Sequence, residues 1–311
     1  MSATVVIAGA SGFVGRHLAK VLNRDGYNII CVTRRTSQLS ASSPYFHETI
    51  TWDHLQLHGL PQCDAVINLA GENIMNMTRR WDAKFKKDVF TSRTASTKFL
   101  GEVILATKTK PKVFITASGV GYYQPSPTEE YTEASSGGKH DFLAQLADAW
   151  EKASHLPRES GVRVINLRCG AVLGRDGGVI KNLYWPFYFG LGGPVGDGKQ
   201  PFPWIHLDDL AHIYKYTLEN KQCHGAYNAV APQIITNAEF TKAFAKAMHR
   251  PAVIPVPKIA LNVILGKERA KILTDGQKVH PKKIVSDGFG FLFPTIKEAC
   301  EDICMPTIVH D

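Results

Sequence analysis

The chain of 311 residues carries a net charge of +8, with 44% hydrophobic and 21% charged residues. This composition is ordinary for a soluble globular protein, and the length suits one large α/β domain or a domain with a smaller lobe. No apolar run approaches the roughly 20 residues that span a bilayer, and Met1–Ala3 lead directly into the apolar run Val5–Ile7. We therefore expect neither a membrane partner nor a secretory signal.

Lysine and arginine are spread along the chain without a long cationic block. Because nucleic-acid binding usually needs a clustered basic patch, we expect no nucleic-acid partner. A positive balance does suit a phosphate-bearing ligand. The sequence leaves open whether the protein forms a homodimer or binds another protein.

The six cysteines include no CxxC pair, and Cys31 and Cys169 lie in apolar, strand-like runs. This usage predicts an intracellular, reducing compartment, the cytoplasm or alternatively the mitochondrial matrix, without disulfides. An HxxxH pair, His54 and His58, is flanked by leucines that alternate with polar residues. That alternation predicts exposed loop or edge residues, and we expect no metal site.

Strand-like and helical patterns alternate through the first half of the chain. The predicted strands are Thr4–Ala8, Asn28–Thr33, Ala65–Leu69, Val113–Ala117 and Val162–Leu167, and the predicted helices are Phe13–Arg24, Trp81–Thr107 and Asp141–His155. Short, continuous apolar strands between amphipathic helices are typical of a parallel sheet covered on both faces. The sequence therefore predicts an α/β fold with a Rossmann-type doubly wound parallel sheet.

The pattern changes after about Gly174, where glycine and proline become dense and predict a loop over 190–203. Helices are predicted over Asp208–Asn220 and Asn237–Met248, with Asn237 as the N-cap of the second. Short helices and turns are expected over 251–311. The predicted organisation is a Rossmann-type domain over residues 1–174, with sheet contributions from about 204–232, and a smaller C-terminal α/β substrate lobe over 175–311.

A glycine loop with GxxGxxG spacing follows the first strand and opens the first helix. In this context Gly9 permits a tight turn, Gly12 lets the backbone approach a pyrophosphate, and Gly15 lets the helix pack close to the strand. The pyrophosphate then meets the free N–H groups of the helix N-terminus. The predicted cofactor contacts from this loop are Gly9, Ser11, Gly12, Phe13, Val14 and Gly15.

The second strand ends in Thr33-Arg34-Arg35, where an NAD site usually places an acidic residue for the ribose hydroxyls. A guanidinium can instead bond a 2′-phosphate, so these residues predict NADP(H) as the cofactor. At the next strand end, Leu69, Ala70 and Gly71 are small enough for the backbone to lie against the adenosine and its ribose.

Two further polar residues are candidates for the site. Arg93 lies in a predicted helix, where both a solvated surface position and a ligand contact remain open. Ser118 is expected at the carboxyl edge of the sheet, where α/β folds place their ligands.

Together with these motifs, several further runs resemble the extended, epimerase-like branch of the short-chain dehydrogenase/reductase superfamily. The matching runs are Ser118 with Tyr122-Tyr123, Leu167–Gly174 and Trp204–Ala211, and, for a particular branch, Gly71–Ile74, Arg80-Trp81, Trp150-Glu151 and Gly276–Val279. Within the branch the chain resembles an atypical family, named for nucleoside-diphosphate-sugar epimerases, with a C-terminal segment of unknown function. The run Tyr123–Ser126 is similar to its animal form.

The resemblance implies an NADP(H) site in which Thr33 and Arg34 meet the adenosine phosphate, and Leu69 and Ala70 line the ribose path. It places Arg93 near that path and has Val172 offer its backbone to the nicotinamide end.

The chain departs from the superfamily at the catalytic YxxxK pair, whose lysine lowers the pKa of the tyrosine. If Glu151 matches the glutamate often found after that motif, Leu143 and Ala147 replace the tyrosine and the lysine. The remaining catalytic candidates are Ser118 and, in place of the missing tyrosine, Tyr122 or Tyr123, of which Tyr123 is the predicted catalytic residue.

Two hypotheses stay open. One is an NADPH-dependent reductase or epimerase acting on an unidentified small molecule. The other is a non-catalytic NADPH-binding protein with a sensing or assembly role.

Overall fold

The computed structural model describes residues 2–34, 44–76 and 78–305. The chain divides into two compact units. Unit 1 comprises Met1–Tyr122, Gly137–Arg168 and Leu210–Tyr227, and unit 2 comprises Tyr123–Ser136, Cys169–Asp209 and Asn228–Asp311. None of the helices within the described ranges combines the length and the apolar character that crossing a membrane requires.

The strands and helices are numbered in chain order. The strands are β1 (Thr4–Ala8), β2 (Asn28–Thr33), β3 (Glu48–Thr51), β4 (Ala65–Asn68), β5 (Val113–Gly119), β6 (Glu130–Tyr131), β7 (Arg163–Cys169), β8 (Ala171–Gly174), β9 (Trp204–His206), β10 (Gly225–Ala229) and β11 (Lys278–Val279). The helices are α1 (Phe13–Arg24), α2 (Trp52–His58), α3 (Ala83–Ala106), α4 (Phe142–Ala153), α5 (Gly178–Tyr188), α6 (Leu207–Glu219), α7 (Asn237–Ala247), α8 (Lys258–Leu265), α9 (Lys267–Thr274), α10 (Lys282–Ser286) and α11 (Ile296–Cys304).

Unit 1 is built on a seven-stranded sheet in the order β10-β7-β5-β4-β1-β2-β3. The pairs β1–β2, β2–β3, β1–β4 and β4–β5 are parallel. The strand order reverses between β1 and β4, and ligands of such sheets bind beyond the carboxyl ends of the strands at this switch point. The predicted doubly wound Rossmann-type sheet is confirmed.

The helices of unit 1 begin where the sequence supplies a capping side chain or a glycine. Helix α3 begins after Asp82, whose carboxylate accepts from the backbone N–H of Phe85 at 2.8 Å. Helix α4 begins after Asp141, which accepts from the N–H of Ala144 at 2.9 Å. Helix α1 begins after Gly12 without a side-chain cap, which leaves its first-turn N–H groups for another acceptor.

His54 and His58 are exposed, as predicted, but the expectation that they lie in a loop or at a sheet edge was wrong. Both lie in helix α2, and their ring centroids are 4.6 Å apart. The side chain of Thr51 caps this helix by accepting from the N–H of His54 at 3.0 Å. With seven residues and only Leu55 buried, α2 leaves too short an apolar pattern to reveal a helical period.

Unit 2 packs helices around an aromatic core and carries two short parallel two-stranded sheets, β6–β11 and β8–β9. Phe240 of α7 stacks on Phe202 with centroids 4.6 Å apart, and Phe187 of α5 lies 4.9 Å from Phe244. The buried helix α11 residues Ile296 and Cys300 complete this cluster. The core of unit 2 is thus separate from the apolar layers of the large sheet.

The N-cap of α7 is Thr236, not Asn237 as predicted. The Thr236 hydroxyl accepts from the N–H of Glu239 at 3.3 Å, and Glu239 Oε2 accepts from the N–H of Thr236 at 2.7 Å. This is a reciprocal capping box. The side chain of Asn237 instead accepts from the N–H of Val195 at 2.8 Å.

We expect Thr236→Ala to lower the free energy of unfolding by about 1 kcal/mol, because an orphan N–H of the first turn loses its acceptor. Thr236→Ser keeps the hydroxyl and serves as the matched control. Guanidinium unfolding followed by circular dichroism measures the difference. An unchanged midpoint for Thr236→Ala would show that α7 does not depend on this cap.

Candidate functional site

The glycine loop lies at the switch point of the sheet. Gly9 has φ of 81°, and a Cβ built there would stand 2.7 Å from the carbonyl carbon of Leu69. A Cβ at Gly15 would stand 2.3 Å from the carbonyl oxygen of Gly9. Only glycine fits at either position. Ser11 and Gly12 are exposed beside the uncapped N-terminus of α1, so this loop can present backbone donors to an anion.

The end of β2 lies next to this loop. Thr33 follows Val32, whose carbonyl accepts from the N–H of Gly9 at 3.4 Å, and Arg34 is exposed directly after it. The predicted contact of Arg34 with an adenosine phosphate stays a prediction. Arg35 lies outside the described residues.

Asn68 shapes the turn after β4. Its side chain was not recognised from the sequence as part of the site. Its Oδ1 accepts from the N–H of Ala70 at 3.0 Å, and its Nδ2 donates to Thr97 Oγ1 at 2.8 Å. Asn68 is fully buried at the end of a strand. A buried side-chain amide needs hydrogen-bond partners. A polar Asn at the end of an apolar strand was therefore the sequence signal that could have identified Asn68. It fixes the backbone of Leu69 and Ala70 at the edge of the sheet.

Arg93 is buried in the described structure rather than solvated. Its Nη1 donates to the carbonyl of Val89 at 3.1 Å, and its guanidinium lies 5.1 Å from the ring centroid of Trp150. Its Nε is buried without a hydrogen-bond partner. Burial lowers the pKa of Arg93 to about 10, although the negative charge of Glu72 raises it. The side chain therefore stays charged at neutral pH.

The position of Arg93 relates it to the turn after β4. A Cβ added at Gly71 would stand 3.0 Å from Arg93 Cζ, so this cation lies directly against Gly71. Its spacing of four residues from both Val89 and Thr97, which are also buried on α3, is the helical signal that could have revealed it.

Ser118 lies at the carboxyl end of β5, as predicted, but its hydroxyl is bonded within the protein. Ser118 Oγ donates to Glu151 Oε1 at 2.8 Å. Arg168 donates to both oxygens of the same carboxylate, each at 2.8 Å, and its guanidinium lies 3.5 Å from the ring centroid of Tyr122. The pair is largely buried. Glu151 thus holds the ends of β5 and β7 against α4.

Glu151 also faces an open groove of about 640 Å³ within unit 1. Other groove residues are Tyr122, Lys152, His155 and Asn166. Asn166 Oδ1 accepts from Thr116 Oγ1 and from Ser154 Oγ at 2.9 Å. The carboxylate that accepts from Ser118 therefore has a route to solvent.

The positions expected for a catalytic tyrosine and lysine carry Leu143 and Ala147 on α4. Ala147 is buried, and a Cβ at Gly121 would stand 3.1 Å from Leu143 Cβ. Helix α4 contains no tyrosine, and its lysine, Lys152, pairs with Asp148 at 2.7 Å. Helix α4 therefore offers no cation to lower the pKa of a tyrosine from either expected position.

The remaining predicted site residues, Tyr123 and Val172, belong to unit 2. Tyr123 is fully buried, its ring stacks on Tyr131 at 5.0 Å, and its hydroxyl lies 2.8 Å from Asn228 Oδ1 and 3.0 Å from the carbonyl of Thr132. Val172 lies in β8, paired with Ile205 of β9. The catalytic role of Tyr123 stays a prediction, and its hydroxyl is already engaged in the interior.

The run Trp204–Asp209 anchors the C-terminal segment of unit 2. The carboxylate of Asp209 accepts from the N–H groups of Leu292 and Phe293 at 2.7 and 3.0 Å. His206 Nε2 lies 3.2 Å from Asp302 Oδ2, and burial lowers the pKa of His206 against the three surrounding aspartates. These bonds give the run a structural role.

No group of three or more His, Cys, Asp or Glu side chains able to share a metal ion is found in the part of the chain that the structure describes.

Together, the switch-point loop, the uncapped helix and the reversed strand order define a Rossmann-type nucleotide-binding protein. The chain belongs to the NAD dependent epimerase/dehydratase family, whose profile matches residues 5–229. Residues 256–303 match a domain of unknown function, DUF1731. The sequence-based resemblance to an epimerase-like family with such a C-terminal segment is confirmed.

Similar proteins are known from animals and bacteria. Human epimerase family protein SDR39U1 is 42% identical over 299 residues, 96% of this chain and 99% of the relative. Epimerase family protein YfhF of Bacillus subtilis is 32% identical over 299 residues, 96% of this chain and 97% of the relative. The chain in a crystal structure of human SDR39U1 (isoform 2) with NADPH is 43% identical in sequence to this one. The match covers 97% of this chain and 99% of the human chain, with a TM-score of 0.92.

We expect Arg168→Ala to lower the free energy of unfolding by about 3–5 kcal/mol, because it leaves the buried Glu151 carboxylate without its cation. The double variant Glu151→Leu/Arg168→Met removes both charges and should recover most of the loss. Urea unfolding of the two variants beside the wild type measures both values. Equal destabilisation of the single and the double variant would contradict an electrostatic origin.

Proposed function

We propose that this protein binds NADP(H) at the switch point of unit 1 and acts as an oxidoreductase or epimerase on an unidentified small molecule. The observation that carries the proposal is the buried guanidinium of Arg93, whose Nε has no hydrogen-bond partner and which lies against Gly71. A buried charge without a bonded counter-ion is costly, and an anionic ligand beside it relieves that cost.

The other residues of unit 1 fit the same ligand. The loop has no room for side chains at Gly9 and Gly15, as a pyrophosphate cradle requires, and Arg34 suits a 2′-phosphate. Human SDR39U1, similar over nearly the whole chain, was crystallised with NADPH. Bound NADP(H) supplies hydride-transfer chemistry.

Further contacts are proposed residue by residue. Ser11, Phe13 and Val14 would line the pyrophosphate at the start of α1, and Thr33 would accompany Arg34 at the adenosine phosphate. The sequence-based expectation that Val172 offers its backbone to the nicotinamide stays a prediction.

For the chemical step, the group in unit 1 that could hold a proton is Ser118, hydrogen-bonded to Glu151. The groove beside Glu151 opens this part of unit 1 to solvent. In this proposal Ser118 orients a substrate hydroxyl or carbonyl, and Glu151 keeps the serine hydroxyl in one direction.

A second candidate function is NADP(H) binding without turnover, in a sensing or assembly role. Its specific support is that the hydroxyls of Ser118 and Tyr123 are both bonded to protein groups, while Leu143 and Ala147 stand where a catalytic pair is expected. Loss of positioned acid–base help costs about 10²–10⁴-fold in rate.

The compartment proposed is a reducing one, the cytoplasm or alternatively the mitochondrial matrix. None of the six cysteines, all of which the structure describes, forms a disulfide, and burial raises the pKa of Cys31 to about 11 and of Cys63 to about 12. Thiols held protonated in the interior suit a reducing environment.

We expect Arg93→Met to weaken binding of NADPH and NADH alike by about tenfold to a hundredfold, since each loses a charge-assisted bond to the shared part of the cofactor. Arg34→Glu should weaken NADPH by a similar factor and leave NADH nearly unchanged. Calorimetric titration with both cofactors measures the two patterns.

The matched control for these titrations is Arg79→Met, whose arginine pairs with Asp88 on the surface of unit 1. It should change neither affinity. Equal affinity of the wild type for the two cofactors would overturn the NADP(H) assignment, and retention of full affinity in Arg93→Met would remove Arg93 from the site.

We expect turnover on carbonyl compounds and nucleotide sugars to fall about 10²–10⁴-fold below the usual 1–10³ s⁻¹, because no tyrosine–lysine pair is present. NADPH oxidation, followed by its absorbance, measures the rate across a broad panel. Ser118→Ala should abolish any residual rate at unchanged NADPH affinity. Residual turnover that survives Ser118→Ala would contradict the role of that serine, and turnover in the usual range would show that another group does the acid–base work.

A further inference from the structure

Exposed apolar side chains are concentrated in two short segments of unit 2. Ten of the fifteen large apolar residues that are exposed in the described ranges fall within 184–191 and 253–264. Single exposed apolar residues are normal on protein surfaces, but a contiguous cluster marks an interaction surface. We call these two segments together the apolar face.

The first half of the apolar face is aromatic and lies at the end of α5. Tyr184, Trp185, Tyr188 and Phe189 contact one another, with Trp185 and Phe189 stacked at 6.0 Å and Trp185 and Tyr188 edge to face at 5.8 Å. Trp185 is 60% and Phe189 67% exposed. Helix α5 packs Ile180 and Phe187 into the core of unit 2, and the four rings lie on its exposed side.

The second half is aliphatic and follows residue 252. Val253 and Ile254 are exposed before α8, and Ile259, Val263 and Ile264 are exposed on α8 itself. Ile259 and Val263 are four residues apart on one helix face, and they are 77% and 80% exposed. Side chains this exposed stand out from the surface rather than line a cleft.

Backbone contacts join the two halves. The N–H of Ile254 donates to the carbonyl of Gly192 at 3.4 Å, and Arg250 Nε donates to the carbonyl of Tyr188 at 2.8 Å. A Cβ at Gly193 would collide with the backbone of Ile254. The aromatic and aliphatic groups are therefore neighbours on one side of unit 2.

The charged side chains in two wider segments that contain the apolar face, 178–192 and 249–264, all have one sign. The segments 178–192 and 249–264 contain no aspartate or glutamate, and their lysines and arginines, Lys181, Arg250 and Lys258, are all exposed. A second copy of the chain on this face would set cations against cations without an acid to pair them. The charge pattern instead favours an anionic partner.

We propose that the apolar face docks peripherally on an anionic lipid surface. Tryptophan and tyrosine favour the bilayer interface, where their rings meet both the acyl chains and the polar headgroups. Lysine and arginine beside them are attracted to anionic headgroups. Protruding side chains insert between lipids without needing a matching cleft. The sequence-based expectation of no membrane partner rested on the lack of a spanning run, which does not bear on peripheral contact.

Vesicle flotation of the full chain tests the proposal, with phosphatidylcholine vesicles that contain or lack phosphatidylglycerol. The protein should float with the anionic vesicles, and less so as salt rises. Trp185→Ser/Phe189→Ser should weaken binding about tenfold or more, and Lys181→Glu at least about fivefold. Lipids brominated near the headgroup should quench tryptophan fluorescence in the wild type, and Trp185→Phe should remove most of the quenching.

The matched controls lie on unit 1. Leu57→Ser removes an apolar side chain that is 77% exposed on α2, and Lys98→Glu reverses an exposed cation on α3. Both should bind vesicles like the wild type, and every variant should keep its circular dichroism spectrum. Absence of binding to anionic vesicles overturns the proposal, as does equal weakening by the control variants. Binding to an acidic peptide without binding to vesicles, or a dimer in sedimentation that Trp185→Ser/Phe189→Ser dissociates, would also overturn it.

Discussion

The close backbone approach at Gly9 and Gly15 is the constraint on which the cofactor side of unit 1 depends. A Cβ at either position would overlap the Leu69 carbonyl or the Gly9 carbonyl, at 2.7 and 2.3 Å. Because glycine has no side chain at either position, the first turn of α1 can lie directly against the end of β1, and the loop can lie against the turn after β4. Only this packing brings the N-terminus of α1 and the turn after β4 together with the end of β2.

Two buried arginines of unit 1 differ in how their charges are paired. Arg168 has a bidentate carboxylate partner in Glu151, so its charge is neutralised by the protein itself. Arg93 has a backbone carbonyl and the Trp150 ring as neighbours but no bonded carboxylate, and its Nε has no hydrogen-bond partner. A charge of the first kind is neutralised within the fold, whereas one of the second kind supports the proposed role of Arg93 in binding an anion.

The hydroxyl groups of the two catalytic candidates are bonded within the protein. Ser118 and Tyr123 are both hydrogen-bonded inside their own units, and α4 supplies neither a tyrosine nor an unpaired lysine. A nucleotide site can persist without acid–base groups, since binding and proton transfer rest on different side chains. This chain therefore has the glycine loop of a dinucleotide-binding fold, while its helix α4 lacks the usual means of lowering a tyrosine pKa.

The α/β class, the bounds of β1, α1 and β2, and the glycine loop were predictable from the sequence, because local periodicity and the need for glycine at a tight turn act between near neighbours. The sequence did not reveal helix α2, which is too short to show a period, or the cap at Thr236, which depends on a reciprocal bond with Glu239.

The burial of Arg93, the bond between Ser118 and Glu151, and the exposure of Trp185 and Phe189 could be learned only from the folded structure. Each of these depends on which side of an element meets a distant part of the chain. The residue types alone do not fix that choice, since an arginine on a helix or a run of aromatic residues is compatible with either side until packing is complete.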